Sequence, residues 1–134
     1  NADRGTTCNH TRCRTSDTIT LADSTLYATT PDMFSDSERR CFDALSQATR
    51  FRMFGADCYA YGLLSAGHVE LVAESNMAPH DFLALVPVVE GAGGMITDWQ
   101  GHPLDLLAGR QVLATANPTL HEQALARLDR ATAS

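Results

Sequence analysis

Lysine is missing from this chain: all ten basic residues are arginine. We ascribe that bias to genome composition and draw no function from it. Basic charge is also outweighed. The net charge is −6, which excludes broad attraction to nucleic-acid phosphates. Long apolar runs are absent, and no segment nears the ~20 apolar residues of a membrane-spanning helix. No basic-then-apolar leader pattern is present, and the chain opens on Asn1 rather than Met. It therefore reads as an excised or processed piece of a cytoplasmic product. A second cysteine pair is missing too. Cys8 and Cys13 flank His10 like half a zinc site, but Cys41 and Cys58 stand singly. A structural zinc site needs four ligands, so reduced and mostly buried thiols are expected. The phosphate-loop and dinucleotide fingerprints are absent, as is a nucleophile elbow around any Ser or Cys. His68, His80, His102 and His121 have no partner spacing that suggests a triad.

What remains is a chain of 134 residues, enough for one domain with a hydrophobic core. Residues 1–17 are polar and read as a leading segment; residues 18–134 alternate strand-like and helix-like stretches. Leu26–Thr29 is strand-like, and Pro31 closes it. Ser35 and Glu38 have capping-box spacing, predicting a helix to about Ala48 that buries Phe42 and Leu45. Phe51–Phe54 reads as a strand ended by Gly55. A helix over about Cys58–Ala66 follows, with Gly67 as its stop. Val69–Ala73 is a further strand. Pro79 fits the first turn of a helix from about His80 to Glu90, which Pro87 kinks or ends early. Met95–Trp99 is a strand, Gly101–Gly109 a loop, and Gln111–Ala116 an uncharged and therefore central strand. Pro118–Ala131 is an amphipathic helix with Leu120, Ala124, Leu125 and Leu128 on one side. This alternation implies an α/β layered sheet-and-helix domain with parallel neighbours joined by crossover helices.

Four side chains are candidates for chemistry, and each has an ordinary structural reading beside the functional one. Asp81 falls in a first helical turn, where an acid either favours the helix dipole or ligates a metal. Glu74 ends a strand, at the edge where α/β sheets bind ligands, or is a solvated loop carboxylate. Asp57 precedes a helix and can cap it, with one oxygen free to face a cleft. Arg52 can orient carboxylates or phosphate, or lie at a surface or subunit interface. Gly91-Ala92-Gly93-Gly94 lacks phosphate-loop spacing and reads as a helix stop with close backbone packing.

These segments resemble the inositol monophosphatase family. That family carries Trp-Asp-x-Ala-Ala-Gly, then an apolar helix and Glu-Ala-Gly-Gly. Here His80-Asp81-Phe82-Leu83-Ala84-Leu85 is followed by Gly91-Ala92-Gly93-Gly94. The Asp and the Ala-Gly-Gly match in register. His80 replaces the Trp, Gly91 replaces the Glu, and Glu90 stands one position early. Arg52-Met53-Phe54-Gly55 is similar to the family's Arg-x-x-Gly, and Arg4-Gly5 with Cys8-Asn9 to its Gly-rich turn. Residues 55–61, 83–91 and 97–101 look like the histidinol-phosphatase branch. The resemblance implies that Asp81 is the C-terminal ligand for Mg2+ and the catalytic residue that orients the attacking water. It also implies that Glu74, seven residues upstream, contacts substrate. In that branch an acid stands at Asp57, where it would suit the cationic amine and imidazole of histidinol phosphate; Arg52 would support the pair.

The family's Gly-Glu-Glu and Asp-Pro-x-Asp-Gly-Thr metal segments do not occur in this sequence. The resemblance therefore implies the C-terminal, substrate-side half of a magnesium-dependent phosphomonoesterase, inactive alone. Histidinol phosphate is the expected substrate, with inositol monophosphate as the alternative. A non-catalytic dimerisation module is the reading from another class. The expected partners are a small phosphate ester, and the missing N-terminal half or a second copy, as in a homodimer. Such a half should expose apolar surface where its partner packs.

Overall fold

The computed structural model describes residues 7–8, 11–55, 59–75, 77, 83–104 and 111–133. Two short strands, β1 (Thr7–Cys8) and β2 (Thr11–Arg12), pair antiparallel, so the leading segment that the sequence presented as polar loop holds a strand pair. The body is a five-stranded sheet of β3 (Thr25–Ala28), β4 (Phe51–Phe54), β5 (Leu71–Glu74), β6 (Met95–Thr97) and β7 (Val112–Thr115), in the order β4-β3-β5-β7-β6. β3 runs parallel to β4 and β5, while β7 runs antiparallel to β5 and β6. The sheet is thus mixed, and the parallel expectation holds only for its first three strands. β7 is interior, as its lack of charge implied.

Helices α1 (Asp36–Ala48), α2 (Tyr59–Ser65), α3 (Val86–Gly91) and α4 (Pro118–Ala133) cover both faces. Strand alternation assigns the sides. Leu26 and Ala28, Leu71 and Ala73, and Leu113 pack with Phe42 and Leu45 of α1 and Leu120, Ala124 and Leu128 of α4. Val72, Val112 and Ala114 point the other way, to Ala60, Tyr61 and Leu64 of α2 and Val89 of α3. Each of these strand and helix-core positions loses nearly all its exposure, and each large apolar one contributes about 1.5–3 kcal/mol.

Local chemistry explains the helix ends. Ser35 Oγ accepts from the Glu38 N–H while Glu38 Oε1 accepts from the Ser35 N–H, completing the capping box. Asn117 Oδ1 accepts from the Leu120 N–H, and Pro118 follows at the first helical position of α4. The expected His80–Glu90 helix does not run through Pro87. Ala84 and Leu85 form a turn and α3 starts at Val86, with the proline in its first turn. A proline there gives up only an N–H that has no intrahelical acceptor, whereas mid-helix it would clash with the preceding turn.

Gly93 and Gly94 serve packing. Gly93 sits at φ +102°, and a Cβ on Gly94 would lie 2.6 Å from the Thr115 carbonyl and 2.9 Å from Val89 Cγ1. Cys13 and Cys41 are buried, as expected of thiols that pack in the interior. No helix among the described residues is long and apolar enough to cross a membrane.

Candidate active site

Glu74 is the last residue of β5, on the side of the sheet that carries α2. It is 3% exposed, yet its carboxylate is well provided with donors. Tyr61, fully buried on α2, donates its hydroxyl to Oε1 at 2.7 Å. Thr29, just past β3, donates its backbone N–H to Oε2 at 3.0 Å and also its hydroxyl to that oxygen. A charged carboxylate is kept inside the protein only when its lone pairs are met in this way. The solvated-loop alternative for Glu74 does not hold, because its side chain points inward from the strand end.

The next residue turns to the opposite face. Ser75 Oγ donates to Glu38 Oε2 at 2.6 Å, and Gln111 Nε2 donates to the same oxygen at 2.7 Å. Burial alone would raise the Glu38 carboxyl, but the donors from Ser35, Ser75 and Gln111 outweigh it and hold the carboxyl below its usual 4.5. Successive residues at the end of β5 are therefore gripped from both layers, Glu74 by α2 and Ser75 by α1. Sequence reading assigned Glu38 to a helix cap alone. Its second carboxylate oxygen reaches partners 37 and 73 residues away, which no local pattern signals.

Arg52 is placed elsewhere. It pairs in register with Leu26 on the α1 side of edge strand β4, and its guanidinium lies 3.4 Å from Asp43 of α1 and 5.6 Å from the Phe54 ring centre. The sheet stands between it and Glu74, so the structure does not bring these two together. Its half-exposed ion pair contributes little stability. A groove of about 740 Å³ opens on this same face between α1 and α4, lined by Glu38, Cys41, Trp99, Gln111 and Leu128. Asp57 and Asp81 lie outside the described residues. Among the described residues no three His, Cys, Asp or Glu side chains converge as a cation site. With three donors already on Glu74 and at most one of its acceptor positions left, the described residues do not by themselves fit a metal ion.

Comparison with known proteins now decides the family. Residues 1–133 match the model of the inositol monophosphatase family. The chain belongs to that family. It is 41% identical over 116 residues to the bifunctional phosphatase IMPL2 of Arabidopsis thaliana, a chloroplastic protein, covering 81% of this chain and 34% of that one. A shorter match, 40% over 45 residues, links it to a histidinol-phosphatase of Chlorobaculum parvum, covering 34% of this chain and 17% of that protein. Among solved structures, an inositol monophosphatase from Zymomonas mobilis superposes with a TM-score of 0.87 at 39% identity, over 90% of this chain and 48% of that one. The chain thus spans about a third of the plant relative and about half of the bacterial structure. The mixed α/β layered fold is the one found in inositol monophosphatases. Family members are phosphatases, hydrolases of phosphate esters that use metal ions.

Proposed function

We propose that this chain, residues 18–134 above all, is the substrate-side part of a magnesium-dependent phosphomonoesterase. The observation that carries the reading is Glu74, an inward-facing carboxylate gripped at the carboxyl end of β5 in a chain that belongs to this phosphatase family. Asp81 is the metal ligand of this part and orients the attacking water, and Glu74 and Asp57 contact the alcohol portion of the ester. Arg52 supports them only at a distance, by tying β4 to α1 through Asp43. The bound ion would supply charge neutralisation at the phosphate. Further carboxylates must come from a separate segment, because this sequence lacks the Gly-Glu-Glu and Asp-Pro-x-Asp-Gly-Thr motifs. The partner that supplies them is accordingly an N-terminal half; a second copy of the chain, which lacks the same motifs, would serve as a dimer mate only.

Histidinol phosphate is the substrate we favour. Two acids near a cationic amine and imidazole are electrostatically matched, and the 45-residue likeness to a histidinol-phosphatase supports the choice. Inositol monophosphate is the second reading, favoured by the extent of the likeness to the Zymomonas enzyme.

Phosphate release with magnesium tests both. The chain alone should give no turnover of either ester. Once the metal-binding half is supplied, histidinol phosphate should be hydrolysed in preference to inositol monophosphate. Asp81→Asn should then lower kcat by roughly a thousandfold, the scale of losing one transition-state charge contact. Turnover by the isolated chain, or indifference to Asp81→Asn, would sink the half-site assignment.

A further inference from the structure

The carboxylate of Glu74 has room for about four hydrogen bonds, two at each oxygen. Described donors already take three: Tyr61 at Oε1, and the Thr29 N–H and hydroxyl at Oε2. At most one acceptor position is left, and it lies on Oε1. Rotation of the carboxyl is blocked, because turning it would break bonds to two different elements, α2 on one side and the end of β3 on the other. Both anchors come from the scaffold. Tyr61 is fully buried and its hydroxyl also lies 3.5 Å from the Met77 sulfur, while Thr29 follows the strand that pairs with β5.

We propose that Tyr61 and Thr29 are positioning residues for substrate choice: they orient Glu74 so that it accepts a single hydrogen bond from the alcohol part of the phosphate ester. The ester class is one whose alcohol carries a hydroxyl or ammonium donor near the phosphate-bearing carbon. An ester without such a donor gains nothing from Glu74, because a carboxylate accepts and does not donate. The proposal rests on the reading of Glu74 as a substrate contact. What it adds is the pair of residues that aim the carboxylate, Tyr61 and Thr29.

Tyr61→Phe and Thr29→Val remove one hydroxyl each with almost no change of volume, and the valine keeps the backbone donor. The experiment uses the chain assembled with its metal-binding half. Three esters are compared: histidinol phosphate, inositol monophosphate and p-nitrophenyl phosphate, whose leaving group has no donor. Each variant should raise KM for the preferred donor-bearing ester about tenfold, the scale of a misdirected hydrogen bond to a charge. Its kcat should stay within about threefold, since binding rather than the reacting centre is affected. Both constants for p-nitrophenyl phosphate should stay within about twofold. A purely structural role would lower the melting temperature and change all three esters alike, and that result overturns the proposal. So does an unchanged KM for every ester in a folded Thr29→Val variant, which serves if Tyr61→Phe does not fold. A wild-type assembly that hydrolyses none of the esters removes the functional reading and this proposal with it. The wild-type rate tells that failure apart from failure of the positioning role alone.

Discussion

His121 shows how one side chain can carry pH dependence. It is 2% exposed on α4, with Thr97 Oγ1 at 2.7 Å from Nε2 and Thr115 Oγ1 at 2.9 Å from Nδ1. Each threonine hydroxyl also lies within bonding distance of a backbone carbonyl, that of Asp98 or of Asn117. A neutral imidazole offers one N–H and one acceptor. One threonine therefore receives from the ring and donates to its carbonyl, while the other donates to the ring. Burial lowers the His121 pKa from 6.5 to about 4. Between those values the unfolded chain takes up a proton that the folded chain refuses, so falling pH favours unfolding. The contribution is complete above pH 6.5 and is lost as pH drops toward 4. Its full size is on the order of 3 kcal/mol. Urea melts across that range should show the slope in wild type and a much flatter one in His121→Gln. Equal slopes would remove His121 as the cause.

At the level of single elements, α1 combines a helix cap with a tertiary tie. Ser35→Ala removes one half of the capping box and should cost about 1 kcal/mol. Glu38→Ala removes the other half and also strands Ser75 and Gln111, whose donors both meet Glu38 Oε2. That second loss should add roughly 1–3 kcal/mol. Denaturant midpoints of the two variants check the order, and equal midpoints would mean that the tie to Ser75 and Gln111 contributes nothing. The Ser35–Glu38 spacing was enough to read the cap from the sequence, because both partners lie within one helical turn. The tie was not readable, since Gln111 stands 73 residues away along the chain, just before β7. Pro87 was legible as a disturbance of its helix. Only the three-dimensional structure shows that the disturbance is a fresh helix start at Val86.

For the molecule as a whole, exposed apolar surface is the feature expected where a partner packs, and among the described residues several large apolar side chains are exposed. Phe51, Met53 and Phe54 of β4 are 54%, 45% and 37% exposed, and Tyr59 at the start of α2 is 71% exposed. β4 is also an edge strand, so unpaired backbone groups lie along the same border. The exposed positions of α1 and α4 instead include Arg39, Arg40, Glu122, Arg127 and Asp129. We expect the isolated chain to self-associate through the β4 border as concentration rises. Met53→Lys, which sets a charge on that edge, should shift sedimentation toward the monomer without changing the far-ultraviolet dichroism. A wild-type chain that stays monomeric at its highest soluble concentration would contradict this.

Sequence by itself determined the kinds and order of the main elements from Leu26 onward, though not the short β1–β2 pair, because helix and strand periods, caps and prolines act over a few residues. It also placed Leu120, Ala124 and Leu128 in the core and Glu74 at a strand end, since burial follows the apolar pattern along each element. Tertiary structure alone decided three things. It set β7 antiparallel within a sheet that begins parallel. It separated Arg52 from Glu74, as strand parity sends their side chains to opposite layers. It also filled the Glu74 carboxylate with donors 13 and 45 residues away in the chain. Hydrogen bonds of that separation depend on how whole elements pack, and no short stretch of sequence encodes them.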